Sequence, residues 1–293
     1  LLSAAHLTVM PEMLRFRKEL GIAHVPIVLG GIVPDADHAK LSEMGVAAVF
    51  NPGSPLDRII EKVRSLAAEH KPEFDLQSLA SSYAQRDARS LARLLTAARR
   101  GGAELDGWSP PAGKAQVIGV TGAPGVGKSS FIARLSKLLR ANGHSVGVVA
   151  VDPSSPVTGG ALLGDRLRMM HGAGDAECFV RGLSSGDAQG GLAPRCREVV
   201  DVMSGFGFDY ILVETVGAGQ GEIAVRELSD RAILLIMPDS GDAVQFSKAG
   251  IMEIADCYVL NKSDLPGADA TQAQLVGVIG DTKPLFRVSS VRA

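Results

Sequence analysis

Apolar positions along this chain fall into two rhythms, short β-prone runs and longer stretches that repeat every three or four residues. In the first seventy residues, Val25-Pro26-Ile27-Val28-Leu29 and Val46-Ala47-Ala48-Val49-Phe50 read as buried strands, each followed by a glycine or proline turn. Helices are predicted around them over 9–20, 37–44 and 56–68. Strands alternating with helices imply parallel pairing in a doubly wound α/β sheet. Two strands make too narrow a sheet to stand alone, so 1–70 reads as the latter half of a larger domain.

The period changes after that. Leu76, Leu79, Tyr83, Ala88, Leu91, Leu94 and Leu95 predict two amphipathic helices, and a turn-rich linker holding the single Trp108 follows over 101–111. Residues 71–114 therefore read as a helical connector packed on the next domain, with Arg86, Arg89, Arg93, Arg99 and Arg100 forming a solvated face. Beyond it, 115–293 carries predicted strands at 116–121, 146–152, 210–214, 257–260 and 285–288. Alternation with helices again predicts a doubly wound, mostly parallel sheet.

The first of those strands runs into Gly122-Ala123-Pro124-Gly125-Val126-Gly127-Lys128-Ser129, and a helical pattern begins at Ser130. This is G-x-x-x-x-G-K-[ST] in the strand–turn–helix setting that the motif requires, which defines a P-loop NTPase fold. Glycines at 122, 125 and 127 let backbone N–H groups approach phosphate oxygens, and the helix start adds unpaired N–H groups and a positive dipole end. Lys128 would reach the β- and γ-phosphates, and the Ser129 hydroxyl would ligate Mg²⁺.

Acids follow at the ends of later strands, where open α/β sheets bind ligands. Asp152 and Asp165 are candidate Mg²⁺ ligands, direct or through water, although Asp152 reads also as a turn cap and Asp165 as a helix N-terminal charge. Glu214 ends an apolar strand and can hold the metal, and the Gly217 N–H can report the γ-phosphate. Lys128, Glu214 and Gly217 are thus the candidate catalytic residues. Asn261-Lys262-Ser263-Asp264 fits N-K-x-D, whose carboxylate accepts from the ring N–H and exocyclic amine of guanine. Adenine would leave that charged acceptor unpaired, which loses about 1.5–3 kcal/mol per bond. Ser289, after the last strand, falls where a second guanine-contacting loop belongs.

Composition narrows the setting. A hydrophobic share of 46% with 21% charged residues fits a globular protein with a real core. The net charge of −2 lacks a basic block and aromatics are only 4%, so neither nucleic-acid binding nor single-strand stacking is expected. Cys178, Cys196 and Cys257 form no C-x-x-C pair, which fits a reducing, cytoplasmic setting. No run is long enough for a membrane span, and none resembles a signal peptide. The chain opens on Leu1, as a fragment would.

Two family resemblances can be stated on these residues. Asp152-Pro153-Ser154-Ser155-Pro156, Thr158-Gly159-Gly160, Gly164-Asp165-Arg166-Leu167-Arg168-Met169, Gly190-Gly191-Leu192-Ala193, Glu214-Thr215-Val216-Gly217 and Gly241-Asp242-x-x-Gln245-x-x-Lys248 resemble the MeaB family. These are GTPase chaperones of adenosylcobalamin-dependent acyl-CoA mutases. The resemblance implies GTP/GDP and Mg²⁺ as ligands, Asp152, Asp165 and Glu214 linked to the metal, a mutase catalytic domain (fused or separate) as partner, and a homodimer.

Earlier in the chain, Val28-Leu29-Gly30-Gly31-Ile32-Val33-Pro34 and Gly45–Gly53 look like the C-terminal half of a flavodoxin-like cobalamin-binding domain. In that family Gly30, Gly31, Pro52 and Gly53 would lie against the cofactor's nucleotide tail. The cobalt-ligating D-x-H-x-x-G is absent, so adenosylcobalamin is expected only in a full-length protein. The order of the two parts resembles fused isobutyryl-CoA mutases and implies isomerase activity in the full fusion alone. The alternatives are a P-loop metallochaperone for another metal centre and a P-loop small-molecule or protein kinase.

Overall fold

The computed structural model describes residues 6–69, 74–101, 103–152, 175–184, 192–215, 221–238, 251–280 and 282–289. The chain divides into two compact units, with the break between Phe74 and Asp75.

The first unit runs α1 (His6–Glu19), β1 (Ile27–Gly30), α2 (Asp35–Glu43), β2 (Val46–Phe50) and α3 (Leu56–Glu69), and its two strands pair in parallel. Met10, Leu29, Val33, Leu41 and Val46 form its small core. α1 starts earlier than the periodicity predicts because His6 is buried, with Nε2 3.0 Å from Asp37 Oδ2. Several apolar side chains of this unit are exposed. Parallel strands are ordinarily buried on both faces, yet Val28 of β1 is 37% exposed, and Ile32, Leu56, Ile60 and Val63 lie open as well.

The second unit begins with α4 (Leu76–Ala84) and α5 (Ala88–Arg100), whose N-termini are capped by Asp75 and Asp87. A 3₁₀ turn (Ala103–Leu105) follows. The alternating elements after it are β3 (Gln116–Gly122), α6 (Lys128–Ala141), β4 (Val146–Asp152), β5 (Cys178–Ser184), α7 (Cys196–Phe206), β6 (Tyr210–Glu214) and α8 (Gly221–Leu228). The unit ends with β7 (Arg231–Ile236), α9 (Ile251–Ile254), β8 (Cys257–Leu260), α10 (Ala268–Ile279) and β9 (Leu285–Arg287).

Seven strands form one sheet in the order β5-β4-β6-β3-β7-β8-β9, and every pairing is parallel. The chain leaves β3 toward β4 on one side and later returns through β7 on the other. That reversal puts the carboxyl end of β3 at the topological switch point, where such sheets bind ligands. Val120, Val148, Leu212, Leu235 and Val259 pack the centre.

Two strands, β5 and β7, are not among those the sequence pattern predicts. β7 is a continuous apolar run, which periodicity alone cannot tell from a buried helix. β5 is an edge strand interrupted by Arg181 and Gly182.

The connector helices pack on α7. Tyr83 Oη donates to the Val202 carbonyl at 2.6 Å, and its ring meets Trp108 edge-on at 5.6 Å. Arg86 departs from the expected solvated face. With φ of 62° between α4 and α5, it donates to the Gly207 carbonyl at 2.6 Å, pairs with Glu177 at 2.7 Å and lies over Phe206.

Candidate functional site

The turn between β3 and α6 has the backbone that its glycines permit. Gly122, Gly125 and Gly127 take φ of 144°, 79° and 97°. These values lie where side chains are strained. At Gly122 a Cβ would stand 2.4 Å from the Leu235 carbonyl oxygen, because β3 and β7 pair directly there. At Gly127 a Cβ would fall 2.6 Å from Asn261 Nδ2. Ala123, Pro124 and Val126 complete the loop, with Pro124 exposed and Val126 buried beneath it.

Lys128 opens α6 and is buried, and its ammonium donates back to the carbonyls of Gly122 at 2.8 Å and Ala123 at 3.1 Å. The cation thus sits inside the loop it serves. Ser129 Oγ donates to Glu214 Oε1 at 2.7 Å, a bond spanning 85 residues of sequence. The parallel register pairs Val120 with Glu214, so β6 delivers the carboxylate beside the loop. Two hydroxyl-bearing neighbours that sequence reasoning does not single out, Thr121 and Thr215, are buried together with their oxygens 3.5 Å apart. Thr121 adjoins the phosphate loop and Thr215 lies within the Glu214-Thr215-Val216-Gly217 motif, but spacing alone assigns neither hydroxyl a role. Ser130 is half-buried in the first turn of α6.

The N-K-x-D segment follows β8 and reaches the phosphate loop. Asn261, buried, donates through Nδ2 to the Val126 carbonyl at 2.8 Å, and Lys262 Nζ donates to the Gly125 carbonyl at 2.7 Å. Lys262 also lies 3.5 Å from Met237 Sδ and takes a positive φ of 54°. Asp264 is exposed. Ser289 is half-buried just after β9, and the Ser263 N–H donates to the neighbouring Val288 carbonyl at 3.1 Å. Two motifs more than a hundred residues apart are therefore hydrogen-bonded to each other.

Among the candidate metal ligands, Ser129 and Glu214 come together. Asp152 ends β4 beside β6, its side chain outside the described set, and Asp165 and Gly217 lie outside the described residues. A hydroxyl and a carboxylate beside a phosphate-cradling turn are hard oxygen donors, the set that suits Mg²⁺. Burial pushes the Cys178 thiol up to about 11 and the Cys196 thiol up to about 12, which disfavours the thiolate at each. Among the described residues, no three His, Cys, Asp or Glu side chains gather as a metal-binding group.

In the first unit, the Gly30–Gly31 and Pro52–Gly53 turns close the same ends of β1 and β2. The side-chain amide of Asn51, between them, bonds both the N–H and the carbonyl of Val33 at 2.9 Å. Gly31 and Gly53 have φ of 143° and 90°. A Cβ at Gly30 or Gly53 would meet nothing within 4 Å.

Comparison with known proteins adds the following. Residues 94–284 match the family described as methylmalonyl-CoA mutase-associated GTPase MeaB. A protein of Pyrococcus abyssi, whose GTPase assignment is itself provisional, is 47% identical over 166 residues, covering 57% of this chain and 51% of that protein. The GTPase ArgK of Escherichia coli is 44% identical over 160 residues, 55% of this chain and 48% of its own length. The mitochondrial methylmalonic aciduria type A homolog of Mus musculus is 44% identical over 147 residues, 50% of this chain and 35% of that one. The chain spans about half the length, or less, of these curated relatives. Among solved structures, a LAO/AO transport system kinase superposes with a TM-score of 0.57 at 28% identity, over 75% of this chain and 70% of that one.

Proposed function

The chain belongs to the MeaB family of methylmalonyl-CoA mutase-associated GTPases, and from that premise we propose that it binds GTP with Mg²⁺, hydrolyses it, and through that cycle serves an adenosylcobalamin-dependent acyl-CoA mutase in loading or protecting the cofactor. The observation that carries the nucleotide part is the pair of hydrogen bonds from Asn261 and Lys262 to the carbonyls of Val126 and Gly125. They join a base-selecting segment to a phosphate-cradling turn, so one ligand can bridge both.

In this reading the N–H groups of the turn 122–127 and of Lys128, Ser129 and Ser130 at the start of α6 receive the phosphates. Lys128 exchanges its carbonyl partners for phosphate oxygens and stabilises charge that builds on them during transfer to water. Ser129 and Glu214, with Asp152 and Asp165, would hold Mg²⁺, which when bound neutralises phosphate charge. Gly217 would turn its N–H toward the γ-phosphate. Asp264 would select guanine by accepting from the base's ring N–H and exocyclic amine, with Ser289 close to the same ring.

For the first unit the proposal is that it forms the C-terminal half of a cobalamin-binding domain within a fused isobutyryl-CoA or methylmalonyl-CoA mutase. The exposed apolar side chains of Val28 on β1 and of Leu56, Ile60 and Val63 on α3 support this, since a half-built parallel sheet leaves apolar groups uncovered. The open space at Gly30 and Gly53, beside Gly31 and Pro52, fits a bulky cofactor tail, whereas the cobalt-ligating D-x-H-x-x-G is not in this sequence. A homodimer belongs to the same proposal.

Steady-state phosphate release from GTP, with and without an acyl-CoA mutase, tests the functional claim. Hydrolysis that responds to the mutase is expected. Lys128→Ala should lower turnover by about 10²–10³-fold, the size of a lost transition-state donor. Hydrolysis unchanged in that variant would remove the assigned site.

A further inference from the structure

We propose that Arg287, at the end of β9, is a positioning residue for guanine selection: its guanidinium ties the Ser263 carbonyl, and so the turn carrying Lys262 and Asp264, to the first turns of α10. The inference rests on the guanine-site reading above. It concerns a residue outside both sequence motifs.

One guanidinium nitrogen, Nη1, donates to Asp269 Oδ1 at 2.6 Å and to Gln272 Oε1 at 3.0 Å, both on α10. The other, Nη2, reaches the Ser263 carbonyl at a longer 3.5 Å. Asp269 and Gln272 therefore anchor the planar fork, and its free edge faces the middle of N-K-x-D. A lysine offers a single point of charge and no such two-sided fork.

The backbone nearby is stitched to the same place. Leu260 pairs with Arg287 across β8 and β9, Val288 N donates to Leu260 O at 3.0 Å, and Ser263 N donates to Val288 O at 3.1 Å. Ser263 is thus held through its N–H by the backbone after β9, and its carbonyl lies within a long 3.5 Å reach of the Arg287 side chain. Between those anchors and the phosphate loop lies Lys262, whose positive φ of 54° is a sparsely populated conformation for a side-chain-bearing residue. Such a conformation persists only where its surroundings over-determine it.

Stability does not account for the arrangement. The Arg287–Asp269 pair is open to water, with side-chain exposures of 39% and 91%, and exposed pairs contribute little to folding. What it can change is the direction of the Asp264 carboxylate, one peptide beyond the tethered carbonyl.

The test is Arg287→Gln and, independently, Asp269→Asn, each measured for KM and kcat with GTP and with ATP, and for Tm. The expected result is a rise in KM for GTP of about tenfold, the scale of one misaligned charge-assisted bond. kcat at saturating GTP, the weak use of ATP and Tm should stay near wild type. An unchanged GTP-over-ATP ratio would overturn the inference, as would GTP and ATP parameters worsening in parallel with a fall in Tm. If the wild-type chain itself shows no preference for GTP, the guanine-site reading fails first and takes this inference with it. A wild-type preference that survives both substitutions sinks the inference alone.

Discussion

A methyl group at Gly122 would sit 2.4 Å from the Leu235 carbonyl oxygen, whereas one at Gly125 would touch nothing within 4 Å. Both residues have positive φ, so both alanine variants are strained, but only Gly122→Ala also forces β3 away from β7. Gly122→Ala is expected to lose about 1–3 kcal/mol of stability from the backbone term alone, with the clash adding to it. Gly125→Ala should lose less, and paired denaturant titrations would rank them; equal losses would remove the argument from the β3–β7 approach. Asp209 offers a second residue-level test. Hydrogen bonds from the Ser145 N–H and hydroxyl hold its carboxyl below the usual range. A depressed folded value stabilises the protein above the unfolded carboxylate pKa of about 3.9, and the contribution fades as pH falls through the lower folded value. Asp209→Asn should therefore flatten the acid limb of a Tm–pH profile and leave its slope above pH ~6 alone.

Residue chemistry is also where the sequence was most readable. The phosphate-loop glycines, Lys128, Ser129 and N-K-x-D announce themselves because each step of the chemistry demands a particular residue type at fixed spacing. Arg86 and Arg287 do not, because an arginine's partner is set by tertiary approach, and their acceptors (Gly207 and Glu177 for one, Ser263 and Asp269 for the other) are remote in the chain.

Among elements, the α4–α5 pair shows how a connector becomes part of a domain. Its apolar stripe packs on α7, and Tyr83 closes the seam with a buried hydrogen bond to Val202. Tyr83→Phe removes that bond while keeping the ring against Trp108 and Phe206. A loss of about 1 kcal/mol is expected in thermal or chemical unfolding, and no change at all would mean the hydroxyl is satisfied as well by water. Helices with a polar face, such as α3 and α5, were legible from periodicity. β7 was not, since it is buried within the sheet and shows no alternation, and β5 was hidden by its mixed edge composition.

For the molecule as a whole, two compact units of different size share one chain. The second has a seven-stranded sheet with a packed centre, and it carries every residue assigned to the nucleotide. Among its described residues the first has two strands and several exposed apolar side chains. A chain beginning at Asp75 should accordingly retain GTP hydrolysis within about twofold, since no assigned group is lost. A large fall would assign the first unit a part in the nucleotide site. The most direct measurement of the central claim is calorimetric titration of the chain with GTP and with ATP in the presence of Mg²⁺, repeated on Asp264→Asn. Saturable binding of GTP, with ATP weaker by about 10²-fold or more and that margin lost in the variant, is the predicted result. Equal affinity for the two nucleotides, or no heat with GTP, would contradict it.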